Sequence, residues 1–555
     1  MQLSGADIIV RVLIEQGCGV VFGYPGGQII NVYDSLYRYS DEIEHILTAH
    51  EQGAVHAADG YARATGKTGV VISTSGPGAT NLVTGIATAY LDSVPLIAIT
   101  GNVPTSQIGY DSFQEIDITG VTLPITKHNY FVSDVTKLAD TLREAFHLAA
   151  SGRPGPVLVD VPKDVQIAKC EYTPAPPVTP DPPQAAKDIR IQEAAEILNS
   201  CERPYIYFGG GLISGAAQEQ MLALAEKMDA VIGCSLMGIS GIPTDHPRFL
   251  GMEGMHGHYA SSVAMNKADC IVALGVRFND RATGDRKKFA THAKVVHIDI
   301  DGSELSKTVM ADGGLRADIR MTLEKLLPQI RQVSHPEWQA KVAELRVLER
   351  EYDDARPGLT PKNAVCTLNR FLGENTPVAT DVGQHQMWAA QYLNFRRSRR
   401  FISSGGLGTM GFGMGAAIGA SYGIGEKSVL ITGDGSFGMC LNELATAVTY
   451  GVPLVILLFN NGVLGMGRQW QTLFFDRHYS NTVLNRKTDF VALAGAFGAA
   501  GEAVDTVEGL EAALSRAFAA EVPYLIDCAI DRDEFVLPML PPGGSMDDII
   551  IKGGD

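Results

Sequence analysis

The chain has 555 residues, a formal net charge of -17, 45% apolar residues and 19% charged residues. That length exceeds what one hydrophobic core supports, so about three domains are expected. The acidic balance argues against nucleic acid as a partner. No apolar run reaches the roughly 18 residues of a membrane helix, and the start MQLSGADIIVRVLIEQGCG has no basic segment before an uninterrupted apolar one, so the expectation is a cytoplasmic chain with no membrane partner.

From the N-terminus, the runs 19–22, 43–48, 69–74, 95–100 and 156–161 are short and β-rich and read as buried strands, with helical patterns between them. Six prolines then fall between Pro174 and Pro183, where neither a helix nor a central strand persists. The runs 205–208, 270–274 and 295–300 follow, then a charged helical stretch over 335–351 and a second break, DDARPGLTP, at 353–361. The last block carries 378–380, 428–432, 455–459 and 524–528. Strands alternating with helices predict an α/β protein of three doubly wound parallel-sheet domains. The boundaries fall at 1–170, a linker 171–187, 188–345, a linker 346–361, 362–534 and a tail 535–555. Eight cysteines from Cys18 to Cys528 form no C-x-x-C pair, so buried, reduced thiols are expected, with neither zinc nor disulfides.

The most informative stretch is GDGSFGMCLNELATAVTYGVPLVILLFNN, Gly433 to Asn461. Two strand-like runs end there in hard oxygen ligands, which places Asp434 and Asn461 at the carboxyl edge of one sheet, where open α/β folds bind ligands. Mg²⁺ suits such a pair, because it takes octahedral oxygen ligands and shares its shell with phosphates. Gly433, Gly435 and Ser436 let a diphosphate approach the backbone, and a helix expected after Cys440 adds partial positive charge. Together these read as a thiamine-diphosphate site. Glu51, in His50-Glu51-Gln52 at a strand-to-helix junction, is by itself only a first-turn acid favourable to a helix dipole. With SGPGATN (Ser75 to Asn81) and the 433–461 site, it becomes the carboxylate that such a cofactor needs against its aminopyrimidine ring.

The segments FGYPGG (Phe22 to Gly27), HEQGAVHAADGYARATG (His50 to Gly66), SGPGATN, GNVPTSQIG (Gly101 to Gly109), FQE (Phe113 to Glu115), GRPGPVLVDVPKDV (Gly152 to Val165), GVRFNDRATG (Gly275 to Gly284), TDVGQHQMWAAQ (Thr380 to Gln391), GGLGTMGFG (Gly405 to Gly413) and NNGVLGMGRQWQ (Asn460 to Gln471) closely resemble the catalytic subunits of acetohydroxyacid synthase, also called acetolactate synthase. The resemblance covers essentially the whole chain. It implies decarboxylation of pyruvate on thiamine diphosphate and joining of the hydroxyethyl unit to a second 2-ketoacid, giving 2-acetolactate or 2-aceto-2-hydroxybutyrate for branched-chain amino-acid synthesis. It implies Mg²⁺ held by Asp434, Asn461 and the carbonyl of Val463, and thiamine diphosphate contacted by Glu51, Gly383, Gln384, His385, Gly408, Met410, Gly433, Asp434, Gly435, Ser436, Asn461, Gly462, Val463, Leu464, Gly465 and Met466. Met410 would sit beneath the cofactor and hold it bent.

The resemblance further implies FAD in a structural role, contacted by Arg153, Gly209, Gly210, Gly211, Met255, His256, Gly257, Arg277, Asp299 and Asp318. The Gly209–Gly211 run alone is no dinucleotide fingerprint. Arg281 and Trp470 are implied to select the second substrate, with Pro104, Phe113, Gln114 and Lys163 lining its channel. Asn279 stands where the family commonly has aspartate. A homodimer or dimer of dimers is implied, with a regulatory small subunit possible. The alternatives are another thiamine enzyme such as pyruvate oxidase, glyoxylate carboligase or the flavin-free catabolic acetolactate synthase, and a non-catalytic dinucleotide-binding protein. Glu51 speaks against glyoxylate carboligase, and RFNDRATG against the catabolic enzyme.

Overall fold

The computed structural model describes residues 1–353 and 355–552. Three six-stranded sheets carry the chain, and every pairing within them is parallel. In spatial order the first is Glu44–Leu47, Val20–Tyr24, Gly69–Ser73, Leu96–Asn102, Pro156–Pro162, His128–Phe131. The second is Phe249–Met252, Val231–Cys234, Pro204–Phe208, Cys270–Leu274, Lys294–Asp299, Gly313–Arg316. The third is Phe401–Ile402, Val378–Thr380, Ser428–Gly433, Leu454–Asn460, Tyr524–Ala529, Ala500–Val504. An antiparallel pair, Gln2–Ser4 with Lys169–Glu171, ties the N-terminus to the end of the first unit.

Each sheet is buried on both faces, as a parallel sheet with crossover helices must be. In the first, Val70, Ile72, Ile97 and Ile99 point into one core, while Val71, Leu96 and Ala98 point into another. Val272 and Leu274 of the second sheet and Val429 and Ile431 of the third share a single apolar core. The proline segment has no regular structure, yet it is pinned: Ala175 N–H donates to Glu15 Oε1 at 3.0 Å and Val178 N–H to Gln16 Oε1 at 2.9 Å. Of the second break, 353 and 355–360 lie outside helix and strand and Pro361 opens the helix Pro361–Asn369; Asp354 lies outside the described residues, as does 553–555 of the expected tail.

The helix expected after Cys440 is Glu443–Thr449, and a further turn of helix, Asp434–Phe437, stands directly at the strand end. One expectation needs correction. The thiols are not uniformly buried, since Cys366 is exposed and Cys170 and Cys201 are half-buried.

The first and third units meet along two helices. Glu51–Thr65 is capped by His50, whose Nδ1 accepts from Gln52 N–H at 3.0 Å, and it ends at Gly66, a left-handed residue with φ 77°. In its partner Gly413–Ile424, eight of the twelve residues are glycine, alanine or serine. The backbones touch. A Cβ on Gly60 would stand 2.2 Å from the Ala416 carbonyl oxygen, and one on Gly419 would stand 1.8 Å from that of Ala57. His56 and Phe412 pack edge to face over the same junction, with centroids 5.2 Å apart.

Gly419→Ala is expected to force these helices apart and to destabilise the chain by about 1–3 kcal/mol, the scale for overpacking a close contact. A lowered thermal midpoint of the purified chain checks this, and an unchanged midpoint would refute it.

Candidate active site

In the third sheet, Ser428–Gly433 lies beside Val378–Thr380 on one side and Leu454–Asn460 on the other. The chain leaves Val378–Thr380 towards the edge strand Phe401–Ile402 and leaves Ser428–Gly433 in the opposite direction. The strand order therefore reverses between them, which opens a crevice at their carboxyl ends. Residues 381–385 follow one strand and 434–436 the other. Gly433 pairs in register with Phe459, so Asp434 leaves the sheet level with Asn460, one residue short of Asn461.

Burial pushes the Asp434 carboxyl up to about 6, against the amides of Gly435 and Gly462 and the charge of Arg486. Asn461 Oδ1 accepts Val463 N–H at 3.2 Å, turning the loop back after the strand. Gly462, at φ 67°, has open space where a Cβ would stand. Ser436 Oγ donates to the Val382 carbonyl at 2.9 Å. His385 is buried and its Nε2 lacks a partner; burial lowers its pKa to about 3, so the ring is neutral. A Cβ on Gly433 would come within 2.9 Å of that ring. Gln384 is committed within the protein, its Nε2 donating to Gln469 Oε1 at 3.0 Å and to the Glu534 carbonyl at 2.7 Å. Gly465 packs against Gln384, and Leu464 N–H donates to the Thr482 carbonyl at 2.7 Å.

No group of three or more His, Cys, Asp or Glu that could hold a metal occurs among the described residues. A cation at Asp434 and Asn461 must then complete its shell from carbonyl, water and ligand oxygens, which suits Mg²⁺ bound with a diphosphate. The free edge at Gly462 and the unpartnered His385 nitrogen fit that group.

Met410 reaches over this edge: a Cβ on Gly435 would lie 3.9 Å from its Cε. Its loop passes through Gly408 at φ 68° and Gly411 at φ 90°. Glu51 opens its helix at the other unit's strand end. Asn81 Nδ2 donates to Glu51 Oε2 at 2.9 Å, and a Cβ on Gly78 would stand 3.3 Å from Oε1, so the glycine leaves that oxygen room. Sequence reasoning passed over Glu443 in NELATA. Its Oε2 accepts from Ala49 N–H at 3.1 Å and from Thr446 Oγ at 2.6 Å, just ahead of the Glu51 helix, and burial raises its pKa.

In the second sheet Gly209, Gly275 and Asp299 stand at or just beyond the carboxyl ends of three adjacent strands. Gly209 and Gly211 are required by the protein itself, since a Cβ on either would meet Gly275 within 2.8 Å, whereas Gly210 would meet only Met237 at 3.5 Å. Burial pushes Asp299 up to about 6 and lowers His256 to about 4, with His256 Nδ1 unpartnered. Asp318 caps the helix Ile319–Leu326. Arg153 bonds Asp301 at 3.0 Å, Glu304 at 2.9 Å and Ser93, and Arg277 donates to the Leu91 carbonyl at 2.7 Å. An acid at the end of one strand and a glycine turn open at Gly210 beyond another fit a dinucleotide such as FAD. Met255 and Gly257 are adjacent; Met255 Sδ lies 3.5 Å from Arg281 Nη1, while a Cβ on Gly257 would strike Glu253.

The Arg281 guanidinium lies over the Trp470 ring, 5.7 Å from its centroid. Its bond to Asp280 is loose, at 3.8 Å, with side chains 58% and 79% exposed, and contributes little. Asn279 caps the short helix there, its Oδ1 accepting Ala282 N–H at 2.9 Å, a role asparagine performs as well as aspartate. In the first unit, Pro104 precedes the turn Thr105–Gln107, Phe113 is 83% exposed, and Gln114 sits at φ 61° against Gly76. Lys163 Nζ donates to the Gly27 carbonyl at 3.0 Å.

Comparison with known proteins gives three family matches: "Thiamine pyrophosphate enzyme, N-terminal TPP binding domain" over 3–121, the "central domain" over 191–326 and the "C-terminal TPP binding domain" over 381–528. Among curated relatives, the "Acetolactate synthase isozyme 2 large subunit" of Escherichia coli K12 is 45% identical over 99% of this chain and 100% of its own. The "Acetolactate synthase isozyme 3 large subunit" of the same organism is 42% identical over 99% and 98%. The "Probable acetolactate synthase large subunit" of Methanocaldococcus jannaschii is 44% identical over 99% and 95%.

Asp434→Ala removes the one carboxylate of the proposed cation pair. It is expected to weaken binding of thiamine diphosphate with Mg²⁺ by at least about 100-fold. Calorimetric titration showing parental affinity would refute the pair.

Proposed function

This chain belongs to the acetolactate synthase large subunits of the thiamine pyrophosphate enzymes, and from that premise we propose how its own residues carry out the reaction. It is an acetolactate synthase: pyruvate loses carbon dioxide, and its two-carbon remainder is joined to a second 2-ketoacid. Thiamine diphosphate, when bound, supplies the carbon nucleophile for both bond changes. The observation that carries the reading is the convergence of Asp434, Asn461 and residues 381–385 on the reversal point of a parallel sheet, in a chain 42–45% identical to those relatives along 99% of its length.

Asp434, Asn461 and the Val463 carbonyl hold Mg²⁺, and Gly383, Gln384, His385, Gly433, Gly435, Ser436 and 462–466 receive the diphosphate. Met410 and Gly408 support the cofactor from below. Glu51 Oε1, left room by Gly78, holds a proton against the ring nitrogen of the aminopyrimidine, while the Asn81 bond fixes the other oxygen. Arg281 takes the carboxylate of the second ketoacid, and the indole of Trp470 bounds its alkyl group. Phe113, Gln114, Lys163 and Pro104 line the approach. FAD occupies the second unit in a structural role, on Arg153, Gly209–Gly211, Met255–Gly257, Arg277, Asp299 and Asp318.

The domains run 1–170, 188–345 and 362–534, joined by the two linkers and followed by the tail from 535. The enzyme works in the cytoplasm on 2-ketoacids without nucleic acid; among the described residues no helix is long and apolar enough to cross a membrane. The relatives' name, large subunit, supports a small regulatory partner. The active unit is a homodimer, or a dimer of dimers, in which Glu51 of one chain serves the Asp434 cleft of another. Two features support this: the buried side of the Glu51 helix is occupied by its own chain's Gly413–Ile424 helix, and Tyr110 and Phe113 are 79% and 83% exposed.

Glu51→Gln and Asp434→Ala homodimers are each expected to lose turnover, by roughly 10²- to 10⁴-fold for Glu51→Gln. Mixing the two chains yields one site with both lesions and one with neither, so exchange should restore activity. No recovery, with exchange confirmed by mass, would place each site within one chain.

Trp470→Leu is expected to shift acceptor choice from 2-ketobutyrate towards pyruvate, because one methylene in an apolar pocket is worth about 1–3 kcal/mol. Competition assays with both acceptors check this; an unchanged product ratio would refute the pocket.

A further inference from the structure

A buried ionic cluster lies where the first unit meets the third, outside the residues given a role above. Arg63 is paired with Asp59 and Asp92, and the three side chains are 7%, 0% and 0% exposed. Burial opposes the Arg63 charge, but the two carboxylates outweigh it and raise its pKa. The cluster faces the loop that carries Met410. Asp92 Oδ1 accepts Gly406 N–H at 2.7 Å and its Oδ2 accepts Gly405 N–H at 3.0 Å. Arg63 Nη1 donates to the Ser403 carbonyl at 2.9 Å and Nη2 to Asp92 Oδ2 at 3.0 Å. Thr88 and Thr409 share a hydroxyl bond of 2.7 Å. On the far side, Asp381 Oδ1 accepts Gly411 N–H at 2.8 Å.

We propose that Asp92, fixed by Arg63 and Asp59, is a positioning residue that sets the Met410 loop of its own chain over the cofactor cleft. The inference rests on the role given to Met410 under the proposed function. Simple attachment of two domains needs no such distribution of bonds. Here the anchors fall on Ser403, Gly405, Gly406, Thr409 and Gly411, so the backbone is held on both sides of Met410 and its side chain reaches Gly435. The carboxylate form matters, because each oxygen of Asp92 receives an N–H and one also receives the guanidinium. An amide would turn an NH₂ towards one of those donors. The first unit thereby serves two sites: Glu51 goes to the partner chain's cleft, while Asp92 shapes the cleft of its own.

The test is a double-mutant cycle on the full chain with Asp92→Asn and Met410→Leu. Thermal midpoint, calorimetric affinity for thiamine diphosphate with Mg²⁺, and kcat are measured for each. Displacing a group by about 1 Å in an active site costs on the order of 10²-fold in rate. Asp92→Asn should therefore lower kcat by about that factor while the affinity stays within about threefold, because the diphosphate-binding loops are untouched. The double variant should be no slower than the worse single variant, since both changes spoil one position.

Parental kcat in Asp92→Asn would overturn the inference. So would losses that multiply in the double variant, or a kcat loss that tracks falling affinity for the cofactor. In each of those results an impaired Met410→Leu leaves the proposed function standing. If Met410→Leu is instead indistinguishable from the parent, the role of Met410 fails and the inference fails with it. Should Asp92→Asn not fold, Thr88→Val decides: it removes the hydroxyl that bonds Thr409 and, within its own helix, the Thr84 carbonyl at 2.9 Å, and should lower kcat about tenfold at unchanged affinity. A parental kcat there would overturn the inference.

Discussion

The structure depends on how closely the helices Glu51–Thr65 and Gly413–Ile424 approach. Glycines at 60, 415 and 419 bring backbone against backbone, at separations that leave no room for a Cβ. That contact fixes two things at once. The N-terminal end of the first helix presents Glu51, and the chain just before the second presents Met410. The ionic cluster of Asp59, Arg63 and Asp92 sits beside the same contact, and its energetics are one-sided. A buried ion pair adds little net stability, but removing one partner leaves an uncompensated charge at about 3–5 kcal/mol. The cluster thus resists rearrangement more than it stabilises, which is what a loop beneath a cofactor needs.

The cleft is economical in charge. Asp434 is the one carboxylate of the proposed cation site, and burial already disfavours its ionised form. Protein oxygens alone make an incomplete shell for Mg²⁺. In the proposed site, cation and diphosphate would therefore complete one another, and neither is expected to bind well alone. His385 offers a neutral ring, so in the proposed site positive charge at the diphosphate would come from the cation and from backbone amides. Arg281 is placed differently, half-exposed above Trp470, as its proposed capture of a carboxylate from solvent requires.

Much of this was legible in the sequence because it is local. Central strands such as Leu454–Asn460 are buried on both faces and read as unbroken apolar runs, and a glycine or a hard ligand just beyond the run marks the carboxyl edge. The strands that went unread, among them His128–Phe131, Gly313–Arg316, Phe401–Ile402 and Ala500–Val504, are sheet edges. They are short or partly polar, and one side of each has no strand to bury it. Val231–Cys234 is interior, but its four residues include a glycine. The short turn at Asp434 was missed because four residues carry no periodicity. Asp92 and Glu443 were illegible for another reason: the backbone amides that they hold across the two units lie more than 300 residues away, and spacing within one segment carries no trace of them. Asp318 shows the reverse limit, since the same carboxylate that resembles a flavin contact also caps a helix.

The central claim is that these strand ends build a carboligase. Its most direct measurement is product analysis of the purified chain incubated with pyruvate, thiamine diphosphate, Mg²⁺ and FAD under air, with oxygen uptake followed in the same vessel. The account predicts 2-acetolactate formed with release of carbon dioxide, and no oxygen consumption in proportion to turnover. Acetaldehyde as the sole product, or stoichiometric oxygen uptake with acetate or acetyl phosphate formed, would contradict it.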